Sequence, residues 1–209
     1  MGRPLTPKCK QCRRSSEKLF LKGERCLSVK CAIIRRNYPP GIHGPKGLKR
    51  RVSEYGLQLR EKQKAKAMYR IGEKQFLNYY KLAVKSKANT GNELLRLLER
   101  RLDNVLFRLG LTTSRDQARQ LVSHGHIKVN GRRIDVPSYL TRKGDKITIR
   151  ENSSDFMIIK DAIVKKVAEV PEWLVFEEKD IEGIVMNMPE PDSLNLGIDS
   201  KSIIEYYSR

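Results

Sequence analysis

The sequence has few of the features that membrane-spanning and secreted proteins depend on. Only 7% of its residues are aromatic, and it has one tryptophan and four cysteines. For a chain of 209 residues, this composition predicts a real but modest hydrophobic core. No stretch approaches the roughly 18 to 20 apolar residues that span a bilayer, and the N-terminus has no apolar signal segment. We therefore expect a soluble, intracellular protein with no membrane partner.

Catalytic signatures are missing as well. The sequence contains no GxSxG motif, no phosphate-binding glycine loop with Gly-Lys and no HExxH motif, and its three histidines do not form a catalytic set. An RNA-modifying enzyme would need a catalytic domain after Arg150, where the chain is acidic and would repel RNA. A zinc-dependent DNA regulator would need a recognition helix after its cysteines, and none is evident. We therefore expect no enzymatic activity and no small-molecule substrate.

Acidic residues are in deficit, and the deficit is uneven. The chain has 43 lysines and arginines against 24 acidic residues, a net charge of +19. The net charge is +12 for residues 1–50, +7 for 51–100, +7 for 101–150 and −7 for 151–209. So large a surplus predicts a polyanionic partner, which we expect to be RNA. The acidic last quarter is expected to face protein or solvent.

Apolar spacing and turn residues predict an α+β fold. We expect helices over 51–71, 73–85 and 161–168, a single helix with a buried face from Leu94 to Leu109, and a helix from Ser114 to Gly125. Ser114 and Gln117 are a predicted capping box. Asn130-Gly131 predicts a tight β-hairpin, and further strands are expected at 146–150, 174–176 and 184–186.

These patterns divide the chain into four regions. We predict a zinc-stapled basic segment over 1–50, a helical region over 51–91, a helix-helix-hairpin RNA-binding module with a small sheet over 92–155, and an acidic C-terminal region over 156–209 that packs on the others. Closely spaced prolines and glycines between Pro39 and Gly47 exclude regular structure there.

The four cysteines all lie near the N-terminus, at Cys9, Cys12, Cys26 and Cys31. A CxxC pair followed by a CxxxxC pair has the ligand spacing of a structural zinc site. Two alternatives remain open, namely two disulfides or four reduced cysteines without a ligand. An intracellular location argues against disulfides. Zinc would also order a segment with few apolar side chains. We therefore expect one structural zinc ion with no open coordination position.

The predicted hairpin places like charges together. In a two-residue hairpin Lys128 lies opposite Arg133, which is unfavourable unless an anion lies between or above them. Ile127, Val129 and Ile134 cover the other face. The basic face is therefore suited to backbone phosphates.

The helix before the hairpin adds a polar stripe of Arg115, Arg119 and Ser123 at intervals of four residues. We expect replacement of Arg119 and Arg133 by glutamate to weaken RNA binding without disturbing the fold. His43 lies in the constrained loop PPGIHGP, and we expect it to contact RNA or pack against protein rather than bind a metal. The full set of predicted RNA-binding residues is Arg3, Arg13, Arg14, Arg35, Arg36, Tyr38, His43, Lys49, Arg50, Arg60, Lys62, Arg115, Arg119, Ser123, Lys128, Arg132 and Arg133.

Several segments resemble a known family. The stretch RLDNVLFRLGLTTSRDQARQLVSHGHIKVNGRRIDVPSY, within Arg100 to Arg150, resembles the RNA-binding module named after the fourth protein of the small ribosomal subunit. Pseudouridine synthases, tyrosyl-tRNA synthetases and a heat-shock protein share that module, so it does not define a function alone. The segments CAIIRRNYPPGIHGP (Cys31 to Pro45), SEYGLQLREKQK (Ser53 to Lys64) and IIEYYSR (Ile203 to Arg209) resemble the bacterial-type ribosomal family itself. The similarity runs nearly end to end.

The resemblance implies a structural constituent of the small subunit. Similarity to the cysteine-bearing branch implies that Cys9, Cys12, Cys26 and Cys31 hold zinc, whereas Ile42 stands where the family usually has glutamine. The family binds the 5′ domain of small-subunit rRNA at a multi-helix junction and helps to nucleate assembly. The resemblance also implies that this chain has neighbouring ribosomal proteins and mRNA as partners. It implies further that the chain lies near the point where mRNA enters and influences decoding accuracy. The expected location is a bacterial or organellar ribosome, in the cytoplasm for a bacterial protein.

Overall fold

The structure, a computed structural model, describes residues 5–45, 52–153, 159, 161, 170–177, 181–190 and 196–209. The chain forms two compact units, of which the first comprises Met1–Leu94 with Leu196–Arg209 and the second Leu95–Asn195. Of the helix predicted over 161–168, only Asp161 is described, so this prediction otherwise lies outside the described residues. The described parts of the acidic region belong to both units.

The helices and strands have the following bounds. The helices are α1 Lys8–Ser15, α2 Glu24–Leu27, α3 Ala32–Arg35, α4 Glu54–Tyr69, α5 Glu73–Val84, α6 Thr90–Glu99, α7 Leu102–Arg108, α8 Arg115–Ser123 and α9 Ser200–Tyr207, with a 3-10 turn at Glu151–Ser153. The strands are β1 Ile127–Val129, β2 Arg132–Ile134, β3 Lys146–Ile149, β4 Leu174–Glu177 and β5 Glu182–Val185.

In the first unit, local signals set the ends of α4 and α5. The Ser53 hydroxyl accepts a hydrogen bond from the Gly56 N–H and caps α4. Arg70 adopts the left-handed conformation that ends this helix, and α5 follows directly after Gly72. The helices predicted over 51–71 and 73–85 are thereby confirmed, with slightly shorter bounds. The C-terminal helix α9 packs against α4 and is capped by the Asp199 side chain.

The cysteine-containing segment packs on the C-terminal half of α4. Leu19 and Leu21 are buried beside Cys12 and contact Ala67 and Met68 of α4. Apolar burial of this kind stabilises the segment by roughly 1.5–3 kcal/mol for each fully buried leucine. The described part of the first 50 residues therefore has a small apolar cluster of its own, which the composition did not predict.

The second unit packs α7 and α8 against an antiparallel sheet. Its strand order is β2-β1-β3-β5-β4, so β4 and β5 extend the sheet that the hairpin begins. Apolar side chains from α7, α8 and the inner face of the sheet form one continuous core. Trp173 and Ile159 also belong to this core. Ile127 and Val129 are buried and Ile134 is partly buried, so the predicted apolar face of the hairpin is confirmed.

The hairpin has the predicted register. Lys128 pairs with Arg133 across the turn. Asn130 and Gly131 have φ angles of 50° and 77°, which a two-residue type I′ turn requires. The Asn130 side chain also accepts a hydrogen bond from Lys146 N–H at 2.9 Å, which ties the turn to β3.

The single helix predicted from Leu94 to Leu109 is wrong. The chain breaks into α6 and α7 because Arg100 lies in a turn and Arg101 is extended, and the two pair with residues 139–141. Leu102 N–H donates to the Tyr139 carbonyl, and Thr141 N–H donates to the Arg100 carbonyl, both at 2.9 Å. Helical spacing of the leucines persists across this break, which explains why the pattern concealed it.

Two smaller predictions also need correction. The strand predicted at 184–186 is β5, Glu182–Val185. The capping box is only half formed, because Ser114 Oγ accepts from Gln117 N–H whereas Gln117 Oε1 accepts from the N–H and hydroxyl of Thr113. The Gln117 side chain thus caps one residue earlier than the motif predicts.

Candidate nucleic-acid interface and cysteine cluster

The outer strand of the hairpin presents two exposed arginines. Arg132 and Arg133 both face solvent on β2. Across the ladder, Lys128 is half-buried and its Nζ lies 3.2 Å from a carboxylate oxygen of Glu151, which is itself exposed. The predicted repulsion between Lys128 and Arg133 is therefore offset in part by an acidic side chain. Arg132 and Arg133 remain the hairpin cations best placed for phosphate.

Arg133 also forms part of a basic cluster at the end of α8. Its guanidinium lies against Gly125, and the His124 and His126 rings are 6.0 Å apart between their centroids. Burial, followed by the positive charge of His124, Arg150 and Arg133, lowers the pKa of His126. His126 is hence neutral at pH 7 and shares a hydrogen bond with a hydroxyl rather than adding charge. Arg133 and Arg150 supply the permanent positive charge near His126.

Arg115 and Arg119 occupy a different environment from the one predicted. Both are buried in the second unit. Arg115 Nε donates to Asn104 Oδ1 at 2.7 Å, and its guanidinium lies 4.5 Å from the Phe107 ring centroid. Arg119 is 5% exposed, and its Nη1 is 3.5 Å from Asp103 Oδ2. Ser123, the third member of the predicted stripe, is exposed.

These two arginines belong to a buried polar network on α7. Asp103 also accepts a hydrogen bond from Arg101, which is completely buried. Arg101 Nε donates to Asp103 Oδ1 at 3.0 Å. A second carboxylate, Glu99, accepts two hydrogen bonds from Arg108 and one from the Asn104 amide. Sequence reasoning missed this network. The signal available was the run of Arg, Asp and Asn inside an otherwise apolar helix, which is unusual unless the charges pair.

The predicted RNA-binding residues of the first unit that the structure describes fall into three groups. Arg14, Arg35, Arg36, His43 and Arg60 are exposed. Arg13 and Tyr38 contact each other, with the guanidinium 4.7 Å from the ring centroid, and Arg13 also donates to the carbonyls of Tyr38 and Pro39. Arg3, Lys49 and Arg50 lie outside the described residues.

Lys62 forms the third group by itself. It is 4% exposed, its Nζ donates to Glu73 Oε1 at 2.8 Å, and it lies 4.2 Å from the Tyr206 ring centroid. Its charge is thus held inside the first unit rather than offered to a phosphate.

The four cysteines line one small cavity in the first unit. Cys12, Cys26 and Cys31 are buried, Cys9 is half-buried, and all four are free thiols without disulfides. Lys22 N–H donates to Cys26 Sγ at 3.3 Å, a contact of the kind that stabilises a thiolate. The fold therefore brings both predicted pairs to the same place.

The proximity of the thiols affects the acidity of Cys12. Burial raises the pKa of the Cys12 thiol, and nearby Cys26, Cys9 and Cys31 raise it further, against a hydrogen bond from the Leu19 backbone. Within the described residues, however, no three histidine, cysteine, aspartate or glutamate side chains stand close enough to form a finished metal site. Four thiols around one cavity are a donor set that suits zinc. The arrangement of these thiols in the structure, however, is not that of a formed zinc site.

No helix in the part of the chain that the structure describes has the length and hydrophobicity to cross a bilayer.

Comparison with known families accounts for most of the chain. Residues 3–99 match the family described as Ribosomal protein S4/S9 N-terminal domain, and residues 100–147 match the S4 domain. The first match contains the cysteine cluster with α1 to α6, and the second contains α7, α8 and the hairpin. The basic hairpin thus lies in the segment that matches the S4 domain.

Full-length relatives agree with these matches. The chain is 49% identical over 210 residues to small ribosomal subunit protein uS4 of Thermus thermophilus, and 48% identical over 209 residues to that of Thermoanaerobacter sp. strain X514. In both comparisons all of this chain and all of the relative are covered. This chain therefore belongs to the uS4 family of small ribosomal subunit proteins, a family of structural proteins and not of enzymes.

Proposed function

We propose that this protein is a structural constituent of the small ribosomal subunit in the cytoplasm and binds the subunit's rRNA. One observation carries the RNA-binding role, namely the distribution of charge between the two units. Residues 1–94 and 196–209 have 26 lysines and arginines against 8 acidic residues, a net charge of +18. Residues 95–195 have 17 against 16. A compact unit with so large a surplus requires a polyanion to neutralise it.

Exposure and pairing then select the contacting residues. In the first unit Arg14, Arg35, Arg36 and Arg60 face solvent, and in the second unit Arg132 and Arg133 do so. The buried members of the predicted set have another task. Lys62, Arg115 and Arg119 pair with acidic or amide side chains and position the elements that carry the exposed cations.

The salt dependence of binding tests this proposal. Purified protein is titrated against a transcript of the 5′ domain of small-subunit rRNA over a series of salt concentrations. Each phosphate contact is expected to contribute roughly 0.7 to 0.9 to the slope of log affinity against log salt. A large-subunit rRNA transcript of equal length serves as the specificity control. A flat salt curve, or equal affinity for the two transcripts, would refute the proposal.

A matched pair of variants tests the hairpin surface. The double variant Arg132→Glu with Arg133→Glu is expected to weaken binding. The slope of log affinity against log salt should fall by about the contribution of two phosphate contacts. Arg132→Lys with Arg133→Lys keeps both charges and should preserve the slope. Identical slopes for the glutamate and lysine pairs would exclude this face from the interface.

The finer assignment concerns place and timing. Following the family resemblance, we propose that the protein binds early at a multi-helix junction of the 5′ domain and nucleates its folding. We further propose that it lies where mRNA enters, contacts neighbouring ribosomal proteins and mRNA, and influences decoding accuracy. Reconstitution of the small subunit with and without the protein, with chemical probing of the rRNA, is the test. Normal folding of the 5′ domain in its absence would disprove the nucleating role.

Zinc binding by the cysteine cluster is a separate proposal. It is supported by four free thiols around one cavity, by their sequence spacing and by the backbone N–H directed at Cys26. Zinc would hold Cys9, Cys12, Cys26 and Cys31 as a closed tetrahedral set, with a purely structural effect. Because no three of the described metal-binding side chains are arranged to hold an ion, zinc binding requires the thiols to rearrange locally.

Metal analysis combined with thiol labelling tests the zinc proposal. One zinc per chain and slow labelling of all four thiols are expected, with fast labelling after chelation. Replacement of Cys9 and Cys12 by serine should increase protease cleavage within residues 1–50 and leave the second unit protected. Substoichiometric metal together with four rapidly labelled thiols would contradict the proposal.

A further inference from the structure

Two segments far apart in the sequence meet on one surface of the first unit. Tyr55, near the start of SEYGLQLREKQK, and Tyr206, in IIEYYSR, have ring centroids 5.5 Å apart with the planes inclined by 32°. Their hydroxyl oxygens are 3.4 Å apart. The contact is made by α4 and α9, which pack along each other. Neither tyrosine is used by the proposed phosphate contacts.

The inner side of this pair is firmly held. Lys62 Nζ lies 4.2 Å from the Tyr206 ring centroid, and the same ammonium is fixed by Glu73. The neighbouring Tyr207 donates its hydroxyl to Glu73 at 2.8 Å and stacks on Tyr80, with ring centroids 4.7 Å apart. Tyr206 is therefore immobilised from behind, and it presents a rigid support to Tyr55.

The outer member of the pair is uncovered. Tyr55 is 47% exposed, whereas Tyr69 and Tyr79 of the same unit are buried. The chain has few aromatic residues, and leaving one at the surface forfeits the burial that favours aromatic side chains. Near it, Arg209 Nη2 lies 3.9 Å from a carboxylate oxygen of Glu54, the residue before Tyr55. The surface near the exposed ring thus carries an exposed ion pair, on a unit with a net charge of +18.

We propose that Tyr55, supported by Tyr206, is a stacking platform for an unpaired RNA base. This inference rests on the proposed rRNA-binding function and adds a contact of a different chemical kind. Rigid aromatic rings beside cations are how proteins hold single-stranded bases, because every base has a π-face and its phosphate needs a counter-charge. Because the unit is strongly basic, a nucleic acid is favoured as the ligand of this ring over a protein surface with few acidic residues.

Substitution of Tyr55 separates stacking from charge. Tyr55→Leu is expected to weaken binding to the 5′ domain transcript by roughly 5- to 100-fold. The log-log salt slope should not change, because no charge is removed. Tyr55→Phe keeps the ring and should restore most of the affinity. Leu57→Ala, at another exposed apolar position of α4, is the matched control and should bind as the unaltered protein does.

A second measurement locates the base. Tyrosine quenches the fluorescence of 2-aminopurine on stacking, so transcripts carrying this base at successive unpaired positions should show one position whose quenching disappears in Tyr55→Leu. Thermal unfolding of each variant establishes that the fold is intact. If Tyr55→Leu is unfolded, the unaltered protein decides: a quenched unpaired position supports the platform, and the absence of any such position overturns it. Unchanged affinity and quenching in a folded Tyr55→Leu overturns the platform and leaves rRNA binding intact. Failure of the unaltered protein to bind overturns both.

Discussion

The guanidinium of Arg133 stands where a side chain at residue 125 would have to be. A Cβ on Gly125 would come within 2.2 Å of Arg133 Nε. Gly125 also has a φ of +73°, a conformation that L-residues adopt at a cost of roughly 1–2 kcal/mol. The turn after α8 and the position of the hairpin cation are therefore set by the same absence of a side chain.

Gly125→Ala is predicted to displace Arg133 and thereby weaken RNA binding. Because the obstructing atoms are the end of a flexible side chain, the guanidinium can move away, and the free energy of unfolding should fall mainly by the backbone strain, roughly 1–2 kcal/mol. Denaturant unfolding and transcript binding measure the two effects. Gly131→Ala is the control, since Gly131 has a φ of +77° with nothing within 4 Å. If both variants bind RNA equally well, Gly125 does not position Arg133 for RNA.

Asp103→Ala is predicted to be strongly destabilising. The substitution leaves Arg101 and Arg119 buried without their carboxylate, and breaking a buried pair from one side costs about 3–5 kcal/mol. Denaturant unfolding gives the loss directly. Glu151→Gln, which removes an exposed pairing to Lys128, should cost less than about 1 kcal/mol. If the two variants lose a similar amount of unfolding free energy, the buried ion pairs of Asp103 contribute no more to stability than the exposed pair of Glu151.

Glu73 predicts a pH dependence for the first unit. Burial works to raise the pKa of Glu73, but hydrogen bonds from Lys62, Lys66 and Tyr207 outweigh it and lower the pKa from 4.5 to about 2. The charged carboxylate therefore stabilises the fold above pH 4.5, and this contribution is lost as the pH falls through about 2. Because the side chain is 46% exposed, its contribution should be on the order of 1 kcal/mol.

Acid unfolding of Glu73→Gln tests this dependence. The variant should be less stable than the unaltered protein at neutral pH, and the difference should shrink between pH 4.5 and 2. Asp199→Asn is the comparison, because hydrogen bonds, first from the Ser202 hydroxyl, likewise lower the pKa of Asp199. A Glu73→Gln difference that stays constant with pH would mean that the carboxylate charge is not what stabilises the cluster.

The apolar cluster under the cysteines predicts a local effect. Leu19→Ala should destabilise the cysteine segment by about 2–5 kcal/mol, because Leu19 is 1% exposed between Cys12 and α4. Leu27→Ala, at a position that is 58% exposed, should have little effect. Limited proteolysis within residues 5–45 reports on both. If the two variants are equally resistant to proteolysis, the apolar cluster is not what stabilises the segment, and another interaction, for example with a bound metal, must do so.

Local patterns predicted most of the elements but not every boundary. Asn130-Gly131 predicted the hairpin and its register, because a two-residue turn leaves only one pairing. The leucine spacing predicted helix over 94–109 but not its interruption, since the pairing of Arg100 and Arg101 with residues 139–141 is a long-range contact. Short-range periodicity contains no information about such a partner.

In the candidate site, too, only some of the predictions agree with the structure. Arg132 and Arg133 were predicted and are exposed. Arg115 and Arg119 share a helical stripe with Ser123, but Asp103 and Asn104 of α7 bury the two arginines. Arg119→Glu would put a carboxylate beside Asp103, so the structure leads us to expect that this exchange disturbs the fold. A charged residue's exposure depends on its neighbours in space, which spacing along one helix does not reveal.

The join between α9 and α4 has a consequence for synthesis of the chain. The first unit combines Met1–Leu94 with Leu196–Arg209, so α9 can cover α4 only after the whole second unit, Leu95–Asn195, has been synthesised. Until then Lys62 lacks the rings of Tyr206 and Tyr207 that cover it in the mature protein. A chain stopped short of residue 200 would contain all of the second unit but would leave this face of α4 uncovered.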